Sequence, residues 1–365
     1  MRQTAVVVCP GRGTYNAAEL GYLKRHHPGQ APLLERFDAE RARRGQPGVA
    51  ALDRAAAYDP AVHARGDNAS ALIFASSLAD YLAIDREAFD IVAVTGNSMG
   101  WYTALACGGA LQPDAGFRVC NTMGALMHEA SIGGQAIYAL VDDDWRPIPG
   151  RREALMEAVA GIHGRDDAEV YVSIELGGML VVAGNRPGLA AFAALAPKGP
   201  GRFPLVLAGH AAFHTPLQAP VSARAKTMLS PDDFGGPAIA LIDGAGRIWR
   251  PHATDRNALW DYTLGAQVVE TYDFTAAMRV AVREFAPDRI IILGPGETLG
   301  SAVAQSLIAE RWRGLDSKTA FAAAQAADPL ILAMGRADQR AKVLEPFPLG
   351  VKQAERTRKA RNGIS

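Results

Sequence analysis

The residues best suited to covalent chemistry are Gly96-Asn97-Ser98-Met99-Gly100. They follow the apolar run Ile91-Val92-Ala93-Val94 and precede a small apolar segment, Tyr102 to Leu111. The pattern predicts a strand, a tight turn with a serine at its tip, and a helix, the layout of a nucleophile elbow. Such a turn lifts a hydroxyl from the top of a sheet. The N-terminus of the helix behind it stabilises negative charge nearby. A simple Gly-Ser loop is the bland alternative in a chain with 37 glycines; the flanking segments favour the elbow. A serine hydroxyl is a weak nucleophile and needs a base. Eight histidines are available for that role, at 26, 27, 63, 128, 163, 210, 214 and 252.

The elements that must hold these groups alternate between strand and helix signals, which predicts an α/β fold. Ala5–Cys9 reads as a buried strand closed by Pro10-Gly11-Arg12-Gly13. Helical patterns fill about 16–26, 31–44 and 69–83, and a further helix at 114–130 carries Phe117, Cys120, Met123 and Met127 at helix-like spacing. From Gly133 the texture changes. Strands at 135–141, 169–175, 179–183 and 202–207 enclose helices at 151–162 and 187–195, with Leu176-Gly177-Gly178 as a hairpin signal. The order β-α-β-β-α-β predicts a ferredoxin-like subdomain at 133–208, inserted into a core of 1–132 and 209–314. The core resumes with strands at 239–242 and 289–293 and a helix at 274–284. Residues 315–365 read as a C-terminal extension, Ala-rich and then basic through Lys352, Arg356, Arg358, Lys359 and Arg361.

The chain has 365 residues, 49% of them hydrophobic, enough for one large domain or two modest ones. Lys+Arg and Asp+Glu balance at 38 each, which argues against a nucleic-acid partner. Cys9, Cys107 and Cys120 lack metal-ligand spacing and read as core thiols in a reducing compartment. No apolar run reaches membrane-spanning length, and the N-terminus lacks a signal-peptide pattern, so a soluble cytoplasmic protein is expected. His210 and His214 stand four apart, but Pro216 argues against the helix that a zinc pair would need. No metal is expected. Gly294-Pro295-Gly296 reads as a turn after a strand rather than a phosphate loop.

Four motifs together resemble the acyl-CoA:acyl-carrier-protein transacylases, typified by the malonyltransferases. That family has an opening strand with Pro-Gly-Gln-Gly, and this chain has Pro10-Gly11-Arg12-Gly13. The family elbow is Gly-His-Ser-Leu-Gly; here it is Gly96-Asn97-Ser98-Met99-Gly100. A Phe-His-Ser/Thr-Pro-Leu segment matches Phe213-His214-Thr215-Pro216-Leu217, and a closing strand with Gly-Pro-Gly matches 290–296. The motifs are in the family order, and the resemblance covers about residues 4–310.

The resemblance implies an α/β-hydrolase-like core with a mostly parallel sheet, and an active site in the cleft between core and subdomain. It implies Ser98 as nucleophile, His214 as base, and an oxyanion hole from the backbone N–H groups of Arg12 and Met99. Gly11, Gly13, Asn97, Met123 and Phe213 are the implied substrate-binding residues. The substrates are acyl-CoA and a phosphopantetheinyl acyl carrier protein, with no further cofactor. The pathway class is fatty-acid or polyketide biosynthesis.

Departures from the family pattern carry specificity. Dicarboxylic members hold the free carboxylate of malonyl with an arginine on the helix after the elbow. Alignment on Glu129-Ala130 puts Met123 there. Methionine cannot pair with a carboxylate, and its flexible thioether suits an apolar chain. The expected acyl group is therefore uncharged. Arg12, in place of a neutral glutamine, offers an alternative grip on malonyl, whereas Arg118, five residues from Met123, faces elsewhere. Asn97 replaces the usual histidine beside the serine, and Trp101 replaces a common glutamate, which predicts a reshaped pocket floor. The family orients the base with the carbonyl of a Gln or Asn before a Leu; the nearest candidate is Thr263-Leu264. The rival readings are an editing acyl-thioester hydrolase, malonyl transfer through Arg12, and an inactive carrier-binding scaffold.

Overall fold

The computed structural model describes residues 2–198 and 203–344. Its strands are β1 (Gln3–Cys9), β2 (Phe89–Gly96), β3 (Gly134–Ala139), β4 (Val170–Leu176), β5 (Met179–Gly184), β6 (Leu205–Leu207), β7 (Ala240–Ile242), β8 (Ile248–Trp249), β9 (Tyr272–Asp273), β10 (Arg289–Ile292) and β11 (Ile331–Ala333). The main sheet has the order β11-β10-β1-β2-β7-β8. All its neighbours run parallel except β7 and β8. β1 and β2 lie at its centre with β10 beside β1, and Val6, Val7, Val8, Ile290 and Ile291 are fully buried. Their continuous apolar runs are what a parallel strand covered on both faces requires.

Two long helices close on the elbow. Gly66–Leu82 is buried along nearly its whole length and packs against Pro113–Ala130. The close approach depends on Gly124, where a Cβ would lie 2.7 Å from Ser70 Oγ and 2.9 Å from Gly66 O. That approach brings Met123 and Met127 to the side of the elbow. Asp80, near the other end of the first helix, accepts from Gly294 N at 2.7 Å, so the Gly294-Pro295-Gly296 turn is tied to that helix.

The insert folds as the alternation predicts. β3, β4, β5 and β6 form an antiparallel sheet in the order β6-β3-β5-β4, with helices Arg151–Ile162 and Arg186–Leu195 completing the βαββαβ unit. The subdomain has its own core around Tyr138, Leu155, Leu180, Val182 and Phe192. β9, from the main body, adds to it in parallel beside β4, so the two sheets share a connection that sequence reading does not foresee.

One expectation needs correction. The described part of 315–365 is no appendage: β11 pairs with β10 through Ile290–Ile331 and Ile292–Ala333, extending the main sheet. The basic residues from Lys352 onward lie outside the described residues. Short helices at Val49–Asp53 and Pro60–His63 also escape the periodicity, being barely one turn long. No helix of the described residues is long and apolar enough to cross a membrane.

Candidate active site

Ser98 follows β2, at φ 55°. This left-handed conformation is costly for a non-glycine residue and persists where its surroundings impose it. Here glycines two residues to each side do so. A Cβ on Gly96 would lie 2.4 Å from the Gly100 carbonyl, and one on Gly100 would lie 2.3 Å from Cys9 O. The turn is pinned to β1 by Asn97 N donating to Cys9 O at 3.0 Å. Helix Gly100–Cys107 starts at once, with Met99 as its N-cap. The predicted elbow is present.

His214 stands on the segment after β6, also at positive φ, 56°. Ser98 Oγ donates to His214 Nε2 at 2.7 Å, and His214 Nδ1 donates to the Gln267 carbonyl at 2.7 Å. A carbonyl only accepts, so Nδ1 carries the proton and Nε2 presents its lone pair to the serine. The ring is 2% exposed. Burial pushes its pKa down to about 4, partly opposed by the Gln267 hydrogen bond, so the imidazole is neutral and able to accept a proton at pH 7. Gln267 acts twice: its side chain also donates to Ser98 O at 3.2 Å while accepting from Tyr102 OH at 3.0 Å. This residue, not Thr263-Leu264, supplies the carbonyl that orients the His214 ring. Thr263 instead accepts from Trp101 Nε1 at 3.0 Å in the core. Trp101 is fully buried there and does not line the cavity, correcting the expectation of a pocket floor reshaped by it.

Dyad and elbow open into a cavity of about 140 Å³ between core and subdomain. Of the residues singled out in the sequence, Arg12, Asn97, Ser98, Met99, Met123, Phe213 and His214 line it. Gly11 and Gly13 do not. Gly11 is buried where a Cβ would lie 2.6 Å from Asn97 O, and Gly13 has φ 90°, so both shape the turn rather than touch the space. The backbone N–H groups of Arg12 and Met99 have no acceptor among the described residues. Asn97 Oδ1 is buried, also without a partner among them.

The far wall is apolar. Met123 is fully buried on its helix, and Met127 lies beside it. The small sheet supplies Ile137, Ile174, Leu176, Val181 and Leu207. Ile174 and Leu176 are two apart on β4, as are Gln135 and Ile137 on β3, so one pleated face of each strand is turned to the cavity. Arg118 points away, donating to Asp233 Oδ2 at 2.9 Å. Arg12 is the guanidinium on the wall. It donates to Ala64 O at 3.1 Å and lies 5.7 Å from the Phe213 ring centre. Burial lowers its pKa, and the nearby Asp67 charge opposes that.

Sequence reasoning misses Gln267 and Gln135, and it weighs His210 only as one of eight histidines and as half of a zinc pair. Gln267 works through a backbone atom that every residue has. His210 and Gln135 take meaning only from each other: His210 Nδ1 and Gln135 Oε1 are 2.7 Å apart. His210 and His214 address different partners through Nδ1, and among the described residues no group of three His, Cys, Asp or Glu side chains is placed to hold a metal.

No family model matches the chain. Among curated proteins it is 25% identical over 207 residues to the polyketide biosynthesis protein ThaF of Burkholderia thailandensis, across 56% of this chain and 16% of that one. It is 24% identical over 212 residues to the malonyl CoA-acyl carrier protein transacylase of Haemophilus influenzae, across 56% of this chain and 62% of that one. The matches thus span a small part of the first relative and less than two thirds of the second. Solved structures share the fold throughout. The malonyl-CoA:ACP transacylase of Synechocystis superposes with TM-score 0.70 at 18% identity, covering 94% of this chain and 100% of that one. The acyl-carrier-protein S-malonyltransferase of Burkholderia pseudomallei gives 0.72 at 19%, covering 94% and 99%. A malonyl-transacylase solved in complex with a type II polyketide acyl-carrier protein gives 0.67 at 18%, covering 94% and 99%. The resemblance read from four motifs therefore holds at the level of the whole fold.

Proposed function

We propose that this protein is an acyltransferase that moves an uncharged acyl group from coenzyme A to an acyl carrier protein through an ester on Ser98, in fatty-acid or polyketide biosynthesis. The observation that carries the reading is the 2.7 Å contact between Ser98 Oγ and an unprotonated His214 Nε2 at an apolar cavity. Ser98 Oγ attacks the thioester carbonyl carbon as its proton passes to Nε2. The oxyanion is held by the N–H groups of Arg12 and Met99. The C–S bond then breaks, and the departing sulfur takes the proton from His214, leaving free coenzyme A and the acyl-enzyme. In the second half, His214 removes the proton of the carrier's pantetheine thiol. The thiolate attacks the ester carbon, the C–O bond breaks, and Ser98 recovers its proton.

The apolar far wall supports an uncharged acyl group. By the family alignment, Met123 stands where dicarboxylic members carry the arginine that pairs with a carboxylate. Burying a carboxylate unpaired costs several kcal/mol, and each ~1.4 kcal/mol is a tenfold change in affinity. An engineered apolar cavity of about 150 Å³ holds benzene. A volume of about 140 Å³ thus suits acyl chains of up to about six carbons. The experiment is transfer of radiolabelled butyryl from coenzyme A to a holo carrier protein. Carrier-dependent labelling is expected; thioester loss at a rate that ignores the carrier would instead make the protein a hydrolase.

A further inference from the structure

His210 has no part in the acyl transfer described above, yet it lines the same cavity. Its hydrogen-bond state can be deduced from its neighbours. Ser173 Oγ donates to Phe213 O at 2.8 Å, and a carbonyl can only accept. The single hydroxyl proton of Ser173 is thereby committed, so at 2.7 Å it must accept from the amide NH2 of Gln135. Gln135 therefore turns its Oε1 toward His210 Nδ1, 2.7 Å away. That oxygen also only accepts, so Nδ1 carries a proton. Burial, with the Arg12 charge adding to it, pushes the pKa of His210 down to about 4 and keeps the ring neutral at pH 7. A neutral imidazole has one N–H. Nε2 is thus a bare lone pair. It has no partner among the described residues and is not among their buried unpaired atoms.

His210 also lies at a boundary. With Arg12 and Met127 it lines both the inner cavity and an outer groove of about 520 Å³ that runs past Ala64 and His128. The shared lining makes this groove the adjoining space for the thiol-bearing arm of an acyl group that fills the inner cavity. The arm common to coenzyme A and carrier proteins contains secondary amides, whose N–H groups are donors.

We propose that His210 Nε2 accepts a hydrogen bond from a pantetheine amide N–H, making His210 a specificity-determining residue for the thiol half of the substrate. The inference rests on the acyl-transfer reading above. It assigns a use to the Phe213–Ser173–Gln135–His210 relay, which aims one ring nitrogen at the passage while holding the backbone next to His214.

The test compares two butyryl thioesters that differ only in one group. One is the N-acetylcysteamine thioester; in the other an ester oxygen replaces the amide N–H. Acylation of Ser98 is read as kcat/KM by intact mass. The wild type is expected to favour the amide by about tenfold, the scale of one net hydrogen bond. In His210→Phe the ratio should fall to near one. In His210→Gln, whose amide can bond Gln135 and still offer an oxygen, it should recover. Fluorophosphonate labelling of Ser98 reports that each variant folds. An amide-to-ester ratio that His210→Phe leaves unchanged overturns the proposal. So does a preference for 3-hydroxybutyryl over butyryl that this variant abolishes while the ratio persists, since the donor would then lie on the acyl group. If neither thioester acylates the wild type, the acyl-transfer reading fails and takes this inference with it.

Discussion

The carbonyl oxygen of Gln267 lies 2.7 Å from His214 Nδ1, and that contact decides which nitrogen of the ring faces Ser98. The site contains a serine and a histidine with a backbone dipole in the place where a carboxylate stands in many hydrolases. A neutral acceptor fixes the tautomer without adding a charge to a buried ring, which leaves the imidazole less basic than an Asp partner would.

The pH dependence follows from that. His214 must be unprotonated to act, and its pKa is held down at about 4. Acylation should stay level from pH 8 to pH 5 and fall as pH drops through about 4, where Nε2 takes up a proton. Single-turnover acylation across this range measures it. An inflection near 6.5, the value of an unperturbed histidine, would refute this account of the base.

Replacing the base should slow the chemistry without destroying the cavity. Asparagine tolerates the left-handed backbone at position 214. His214→Asn should therefore fold while acylating Ser98 about 10²–10⁴-fold more slowly. Ser98→Ala should form no acyl-enzyme at all. Wild-type rates in His214→Asn would remove the histidine from the mechanism.

On the proposed reading, the far wall sets selectivity. Met123→Arg should raise the ratio of malonyl to butyryl labelling by about tenfold or more, on the scale of the roughly 1.5–7 kcal/mol coupling measured for close desolvated charge pairs. Arg12→Ala should leave the wild-type preference for uncharged groups in place. Loss of a strong malonyl activity on Arg12→Ala would show that Arg12, not Met123, governs the acyl group.

The elbow depends on backbone contact. A Cβ at position 100 would meet Cys9 O at 2.3 Å and Pro10 O at 2.8 Å, neither of which is a side chain that can move aside. Gly100→Ala should cost about 1–3 kcal/mol and cut fluorophosphonate labelling of Ser98 more than its melting temperature alone accounts for. Normal labelling would contradict the geometry.

Sequence patterns carry the groups whose side chains do the work. Ser98 is legible because the glycines around it are required by backbone approach, and the insert because its strands and helices alternate in a known order. Gln267 is invisible because it acts through its carbonyl. β9 and β11 have two and three residues, too few for periodicity, and they find their places only by pairing with strands already formed. Trp101 reads as a pocket residue because it replaces a glutamate common in the family that the motifs resemble. The helix turns it inward to Thr263 and the edge of the Tyr262 ring. His210 is one histidine among eight until the chain folds and sets Gln135 beside it.

The most direct measurement is intact mass after brief exposure to an equimolar mixture of acetyl-, butyryl-, hexanoyl- and malonyl-CoA. One adduct per chain is expected, on Ser98, from an uncharged acyl group, absent in Ser98→Ala. A malonyl adduct that outcompetes the others, or acylation at any residue besides Ser98, would contradict the reading of this cavity.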